Sequence, residues 1–460
     1  MPLSSAAHDA LAGVLGDRLS TSESQLDLHG RDESSLPPCR PDAVAFPEST
    51  AEVSAVLAAC HAHDVPVVPF AVGSSLEGQV LPTHGGVSLD MNRMARILEI
   101  DDRALDARVQ PGVTKDGLNA VLRERGLFFA VDPGADATIG GMAATGASGT
   151  MTVRYGTIRE NVLALEVVLA DGTVIRTGSR ARKSSAGYDL THLFLGSEGT
   201  LGVITELVVR VHGLPEHAAA ARVSFPTVRA AADTAIAIVQ SGIPIARCEL
   251  LDGPQMEAVN RFSGLDEPAV PTLFLEFHGS EAGVQEQVAH VEALAQEFEG
   301  GAFRWTIKAE ERSRLWKARH DVYFSLLAYR PGCRSLTTDV CVPVSRLADC
   351  IEETSADIAE SLPFPAPIVG HVADGNFHCG LLLNPGDPEE RRLATEFSAR
   401  LVARALAMGG TCTGEHGIGL GKQRYLTPQF GAEAVAVMRT LKDALDPRGI
   451  MNPGKLLPEG

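Results

Sequence analysis

The sequence predicts an α+β protein built from two substructures, and three observations carry that prediction. Its 460 residues exceed what one compact core accommodates. Between about residues 30 and 212, short β-branched runs alternate with amphipathic helical stretches in a glycine-rich background. After LVVRVHGLPEH the composition turns to long alanine-rich helical stretches that alternate with strands.

Taken in order, AEVSAVLAACHAH (51–63) has helical spacing and VPVVPF after it is a strand ending at a turn. GVSLDM, ARILEID and DARVQPG read as strands, and KDGLNAVLRERG as an amphipathic helix closed by Gly126. NVLALEVVLADGTVIRTG reads as a hairpin whose Asp171-Gly172 step signals a two-residue type I′ turn. Further on, TVRAAADTAIAIVQSG, EAGVQEQVAHVEALAQEFEG and SRLADCIEETSADIAES are helical, RLWKARHDVYFSLLAY is one helical stretch, and PTLFLEFHG and LTTDVCVP are strands. The tail, 421–460, is a short helix ending in DPRGIMNPGKLLPEG. Without an internal repeat or low-complexity linker, the substructures are expected to pack closely, with a site at their seam.

Lys and Arg number 40 against 58 Asp and Glu, a net charge of −18 that opposes nucleic acid as a partner. No apolar run is long enough for a transmembrane helix. The opening MPLSSAAHDALAGVLGDRLS lacks a basic region before an apolar core, and Asp9 and Asp17 oppose a transit peptide, so a cytoplasmic protein is expected. Eight scattered cysteines with no CxxC suit reduced, buried thiols.

Two stretches are rich in small residues, PFAVGSSLEGQV (69–80) and VDPGADATIGGMAATGASGTMTVRYG (131–156). Small residues let backbone N–H groups approach an anion such as a diphosphate, although a tight helix interface would use them equally well. No GxGxxG with a downstream acid marks a nicotinamide domain. Together with LFLGSEGTLGVITE (193–206), GHVADGNFH (370–378), GEHGIG (414–419) and IMNPGK (450–455), these loops resemble the FAD-dependent 2-hydroxy acid dehydrogenases of the vanillyl-alcohol oxidase type. The likeness covers about residues 35 to 458 and is strongest to the cytochrome-linked D-lactate dehydrogenases, with D-2-hydroxyglutarate dehydrogenases and glycolate oxidase flavin subunits as neighbours.

The resemblance implies a two-part FAD-binding domain, residues 1–212 with 414–460 returning to it, and an α+β cap domain over 213–413. It implies that Val72, Gly73, Ser74, Ser75, Leu76 and Gly78 hold the diphosphate. Pro133, Gly134, Thr138, Gly141, Gly146, Ala147 and Ser148 would line the rest of it and the flavin edge, Ile204 the adenine side, and Asn452 the flavin. Relatives with covalent flavin use a histidine in the first loop; this loop has none, so non-covalent FAD is expected. Ala71 and Ser74 depart from the family's PxGxGT, and a positive φ would penalise Ala71.

The histidines of GHVADGNFHCG raise a metal question. If Asp374-Gly375 is a two-residue turn, His371 and His378 stand directly opposite, their Cβ atoms roughly 4.5–5.5 Å apart. Such a pair either makes ordinary hydrogen bonds or grips one ion, and Glu415-His416 offers a third ligand. Two histidines and a carboxylate compose a catalytic rather than a closed structural site. The resemblance implies that His371, His378 and Glu415 bind a divalent ion (zinc, manganese or iron) and that His416 is the general base. A cation on the hydroxyl and carboxylate oxygens would acidify the hydroxyl, and hydride would pass to flavin N5.

Arg319 is the candidate for bidentate carboxylate binding, against the alternative of a surface arginine. Trp316 reads as core, His320 as structural and Lys422 as solvated. Hydroxyglutarate enzymes carry a lysine and an asparagine where this chain has Thr337 and Gly380, so D-lactate is favoured, with glycolate and D-2-hydroxyglutarate as alternatives. A non-catalytic flavin subunit of a glycolate-oxidase-like complex would have lost one of His371, His378, Glu415, His416 or Arg319, and all are present. The resemblance implies a cytochrome, quinone or electron-transfer flavoprotein as electron acceptor, and it allows peripheral membrane contact.

Overall fold

In the computed structural model, which describes residues 3–458, VPVVPF forms strand Val67–Phe70, parallel to Val87–Asp90, which in turn runs parallel to Ala43–Ala45. Helix Thr50–Ala62 connects two of these strands; Ser49 caps it by accepting from Glu52 N, and Val53, Val56, Leu57 and Cys60 form its buried side. The tail joins the same sheet, since Val67 N donates to Ile450 O at 2.8 Å and Asn452 N donates to Val67 O at 2.8 Å. A backbone ladder thus fixes where Asn452 lies.

A second, antiparallel sheet orders Ile97–Asp101, Asp106–Val109, Val203–Arg210, Val162–Val168 and Val174–Arg176. Its hairpin at Asp171-Gly172 is longer than the two-residue turn expected. Val168 pairs with Val174, and the turn is closed by Gly172 N on Leu169 O at 2.9 Å with Gly172 at φ +89°. Helix Ile139–Thr145 packs so closely that a Cβ at Gly140 would come within 2.4 Å of Pro111 Cβ. These elements belong to one compact unit: the chain up to Ser148, Gly156–Leu214, and the chain from Glu415 on.

The other unit is Pro215–Gly414 with Gly149–Tyr155. Its antiparallel sheet runs Arg304–Thr306, His217–Ser224, Thr272–Gly279, Ile245–Leu251, Ile368–His371, Asn376–Leu383, Arg334–Thr337, with Val340–Cys341 also on Asn376–Leu383. LTTDVCVP is therefore two short strands interrupted at Thr338-Asp339. RLWKARHDVYFSLLAY is two helices, Ala309–His320 and Val322–Tyr329, because Asp321 leaves helical geometry at ψ 5°. With Gly253–Ser263 they bury Met256, Leu315, Trp316 and Leu326 against Leu251, Phe274, Val369 and Leu382 of the sheet, about 1.5–3 kcal/mol for each large apolar side chain.

The bend joining Ile368–His371 to Asn376–Leu383 admits only glycine at 375. Gly375 has φ +78°, and a Cβ there would lie 2.0 Å from Val342 O. Gly375→Ala is expected to destabilise the protein by about 2 kcal/mol or more, read as a lower denaturant midpoint at unchanged m-value.

Candidate active site

His371 ends one strand and His378 sits on the next, but they do not stand opposite each other. The register pairs His378 with Val369, and His371 with Glu249 on the strand beyond. Instead of a two-residue turn, a 3₁₀ turn spans Val372–Asp374, and Val342 N donates to Gly375 O at 3.0 Å. Contact with a neighbouring strand thus overrides the Asp-Gly signal. The histidines nevertheless share a face: their ring centroids are 5.6 Å apart at 82°, and their ligand nitrogens lie within 4.8 Å of each other.

Each ring is held at Nδ1. His371 Nδ1 is 2.7 Å from Glu249 Oε1, and His378 Nδ1 is 3.1 Å from Thr338 O. An ionised carboxylate and a carbonyl only accept, so both rings donate from Nδ1, and the neutral ring carries its lone pair on Nε2. Glu249 is fully buried, and its Oε2 accepts from Arg319 Nε at 2.9 Å and Nη2 at 2.6 Å. Burial alone would raise its carboxyl, but His371 and Arg319, each donating to it, hold it below the ordinary value. Asp339, 3.6 Å from His378 Nδ1, accepts from Asn376 Nδ2 at 2.8 Å, Thr413 Oγ1 at 2.6 Å and Gly414 N at 2.8 Å. This carboxylate ties down the chain immediately before Glu415-His416.

In the first unit, Glu415 Oε2 accepts from Ser148 Oγ at 2.9 Å. His416 O accepts from Gln79 Nε2 at 2.7 Å, while Ile418 N and Gly419 N donate to the two oxygens of Glu198 at 2.7 and 2.8 Å. Burial pushes the Glu198 carboxyl above its ordinary value, against those two amides, which favour the charged form. The loop that carries Glu415 and His416 is therefore fixed through its backbone.

The first glycine-rich loop fits an anion. Gly73 and Gly78 have φ +70° and +79°, and among the described residues the N–H groups of Gly73, Ser74, Ser75 and Leu76 have no hydrogen-bond partner. Ala71 does not have a positive φ, so the departure there carries no strain. In the second stretch Thr138 caps Ile139–Thr145 by accepting from Gly141 N, so these two serve the helix start. Gly146, at φ +74°, ends that helix, and a Cβ on Gly134 would meet nothing within 4 Å. Pro133 and Ala147 flank these positions, and Ile204 is buried on Val203–Arg210. Asn452 donates from Nδ2 to Gln79 O at 2.9 Å and Glu198 O at 2.7 Å, while its buried Oδ1 has no partner among the described residues. An orphaned buried acceptor of this kind suits a ligand that donates to it.

Glu249, Asp339 and Glu198 were not singled out from the sequence; the available signal was an acid inside an otherwise apolar or small-residue run, as in CELL and TDVCV. Lys422, expected to be solvated, is instead buried with Nζ 3.4 Å from Glu77 Oε1. Trp316 is core, its ring 4.5 Å beneath the Arg247 guanidinium, and His320 Nδ1 is 2.7 Å from Trp316 O.

Residues 41–178 match the family described as FAD binding domain, and residues 214–456 match FAD linked oxidases, C-terminal domain. The chain is 51% identical to a probable D-lactate dehydrogenase, mitochondrial, of Danio rerio, over 96% of this chain and 90% of that protein. It is 44% identical to a D-lactate dehydrogenase (cytochrome), mitochondrial, of Arabidopsis thaliana, over 97% and 79%. Among solved structures, p-cresol methylhydroxylase with substrate bound superimposes with a TM-score of 0.81 at 18% identity, over 98% of this chain and 96% of that one. Both relatives are named mitochondrial, which overturns the expectation of a cytoplasmic protein drawn from the amino-terminal residues.

Proposed function

The chain belongs to the FAD-linked D-2-hydroxy acid dehydrogenases of the vanillyl-alcohol oxidase flavoprotein family, and from that premise we propose that it oxidises D-lactate to pyruvate using FAD and a divalent cation, with a cytochrome as electron acceptor. The observation that carries the metal reading is the pair of imidazoles donating from Nδ1 to fixed acceptors. Metal-binding histidines are oriented by such outer partners. His371, His378 and Glu415 would hold zinc, manganese or iron, with residues 213–413 serving as the cap.

When bound, FAD supplies a two-electron acceptor and the cation supplies Lewis acidity toward the substrate oxygens. The chain's own groups bind, orient and move the proton. Arg319 takes the substrate carboxylate on the guanidinium edge that Glu249 does not hold. His416, with its backbone clamped by Gln79, takes the hydroxyl proton as neutral imidazole. Backbone N–H groups from Gly73 to Leu76, together with Gly134, Gly146, Ala147 and Asn452, hold FAD without a covalent bond.

Substrate size is argued from Thr337 and Gly380, which are direct cross-strand partners. Neither offers a donor for a second carboxylate except the threonine hydroxyl, and a Cβ at 380 would lie 2.6 Å from Leu326 Cδ1. Thr337→Lys with Gly380→Asn is expected to raise the ratio of kcat/KM for D-2-hydroxyglutarate over D-lactate by about tenfold only when Leu326→Ala makes room, since one charged hydrogen bond contributes ~1.5 kcal/mol or more.

The whole reading is tested by anaerobic mixing with D-lactate, L-lactate, glycolate and D-2-hydroxyglutarate while following flavin absorbance. D-lactate should bleach the flavin fastest, and no bleaching by any of them refutes the dehydrogenase assignment. Unchanged bleaching after verified removal of metal by a chelator refutes the metal's role.

A further inference from the structure

Glu249 touches two groups to which the proposed function gives separate tasks. It lies on Ile245–Leu251, directly across from His371 in the ladder, and is 0% exposed. Oε1 accepts from His371 Nδ1 at 2.7 Å, and Oε2 accepts from Arg319 Nε and Nη2 at 2.9 and 2.6 Å. One oxygen serves the imidazole and the other one edge of the guanidinium. Among the described residues, Arg319 Nη1 has no hydrogen-bond partner.

We propose that Glu249 is a positioning residue that couples occupancy of the cation site at His371 to binding of the substrate carboxylate at Arg319. It rests on His371 being a ligand and Arg319 the carboxylate anchor. The carboxylate fixes the His371 ring so that Nε2 carries the lone pair, and the same carboxylate fixes the plane and tilt of the guanidinium. A cation on His371 polarises its Nδ1–H toward Oε1, drawing charge from Oε2 and leaving Arg319 a stronger partner for an incoming carboxylate. Linkage makes the effect reciprocal, so a bound carboxylate tightens the cation by the same factor. Glutamine at 249 keeps the shape but carries no charge, and its amide N–H₂ faces a donor on whichever side it turns to, either His371 Nδ1–H or the Arg319 fork.

The test measures Mn²⁺ affinity of the oxidised holoprotein by chelator competition, with and without pyruvate. The natural protein should bind Mn²⁺ at least about fivefold more tightly with pyruvate present. In Glu249→Gln, Mn²⁺ affinity should fall about 10–100-fold and the pyruvate effect should shrink severalfold, to what direct contact of pyruvate with the cation supplies. Arg319→Gln should shrink the pyruvate effect to a similar extent while keeping Mn²⁺ affinity within about tenfold of the natural value, a split that general loosening of the fold does not produce. Glu249→Gln with normal FAD content and either natural Mn²⁺ affinity or a natural pyruvate effect overturns the proposal. If that variant does not fold, Glu249→Asp decides, since a shorter carboxylate cannot span both partners and natural behaviour in it is equally fatal. A natural protein that binds Mn²⁺ with no response to pyruvate also overturns the coupling while leaving flavin bleaching by D-lactate, and with it the proposed activity, intact. A natural protein that binds no Mn²⁺, zinc or iron instead removes the ligand assignment on which the coupling stands.

Discussion

Alanine at His378 is expected to slow flavin reduction by D-lactate on the order of 10³-fold while FAD content stays at the natural level. If His378 holds the cation as proposed, its loss removes Lewis-acid stabilisation of several kcal/mol, and ~4 kcal/mol corresponds to that factor. The flavin should remain, because the groups proposed to hold it, the amides from Gly73 to Leu76 and the Asn452 side chain, belong to the other compact unit. Anaerobic stopped-flow of flavin absorbance, with metal content measured on the same sample, checks the result. A loss below tenfold with metal absent would show that the cation has no part in the reaction.

If His416 is the general base as proposed, His416→Asn should cost about 10²–10⁴-fold in the same reduction rate, the usual contribution of such a group. Metal content should not change, which separates this variant from a ligand variant. The natural rate should rise as pH is raised if the base must be deprotonated to act, and the variant should lack that rise. The backbone around position 416 is held by Gln79 and Glu198, so the substitution removes the imidazole without releasing the loop. A variant with a natural pH profile would move the base elsewhere.

Much of this was legible in the sequence. Helix Thr50–Ala62, the strands around it and the small-residue loops follow from period and composition, because those elements are set by residues close in the chain. The glycine-rich and histidine-bearing motifs carried the family. What escaped was long-range. The pairing of His371 with Glu249 spans 122 positions, and no local pattern specifies it. The register of the histidine strands was misread for the same reason. Asp-Gly signals a tight turn, but Val342, thirty-odd positions earlier, packs on Gly375 and selects a longer one. Lys422 was misplaced because a lysine's neighbour at Glu77 is invisible in sequence.

Leu326 occupies the volume that a side chain at position 380 would need, and it does so as part of the hydrophobic core that covers the sheet. Trimming it to admit a longer acid would cost on the order of 2–5 kcal/mol of folding free energy, a large fraction of what a domain has. If position 380 sets substrate size as proposed, breadth of substrate and robustness of the fold are in direct trade-off there. A lineage drifting toward larger acids would first need stabilising changes elsewhere, so the order in which its mutations could accumulate is constrained by packing rather than by chemistry.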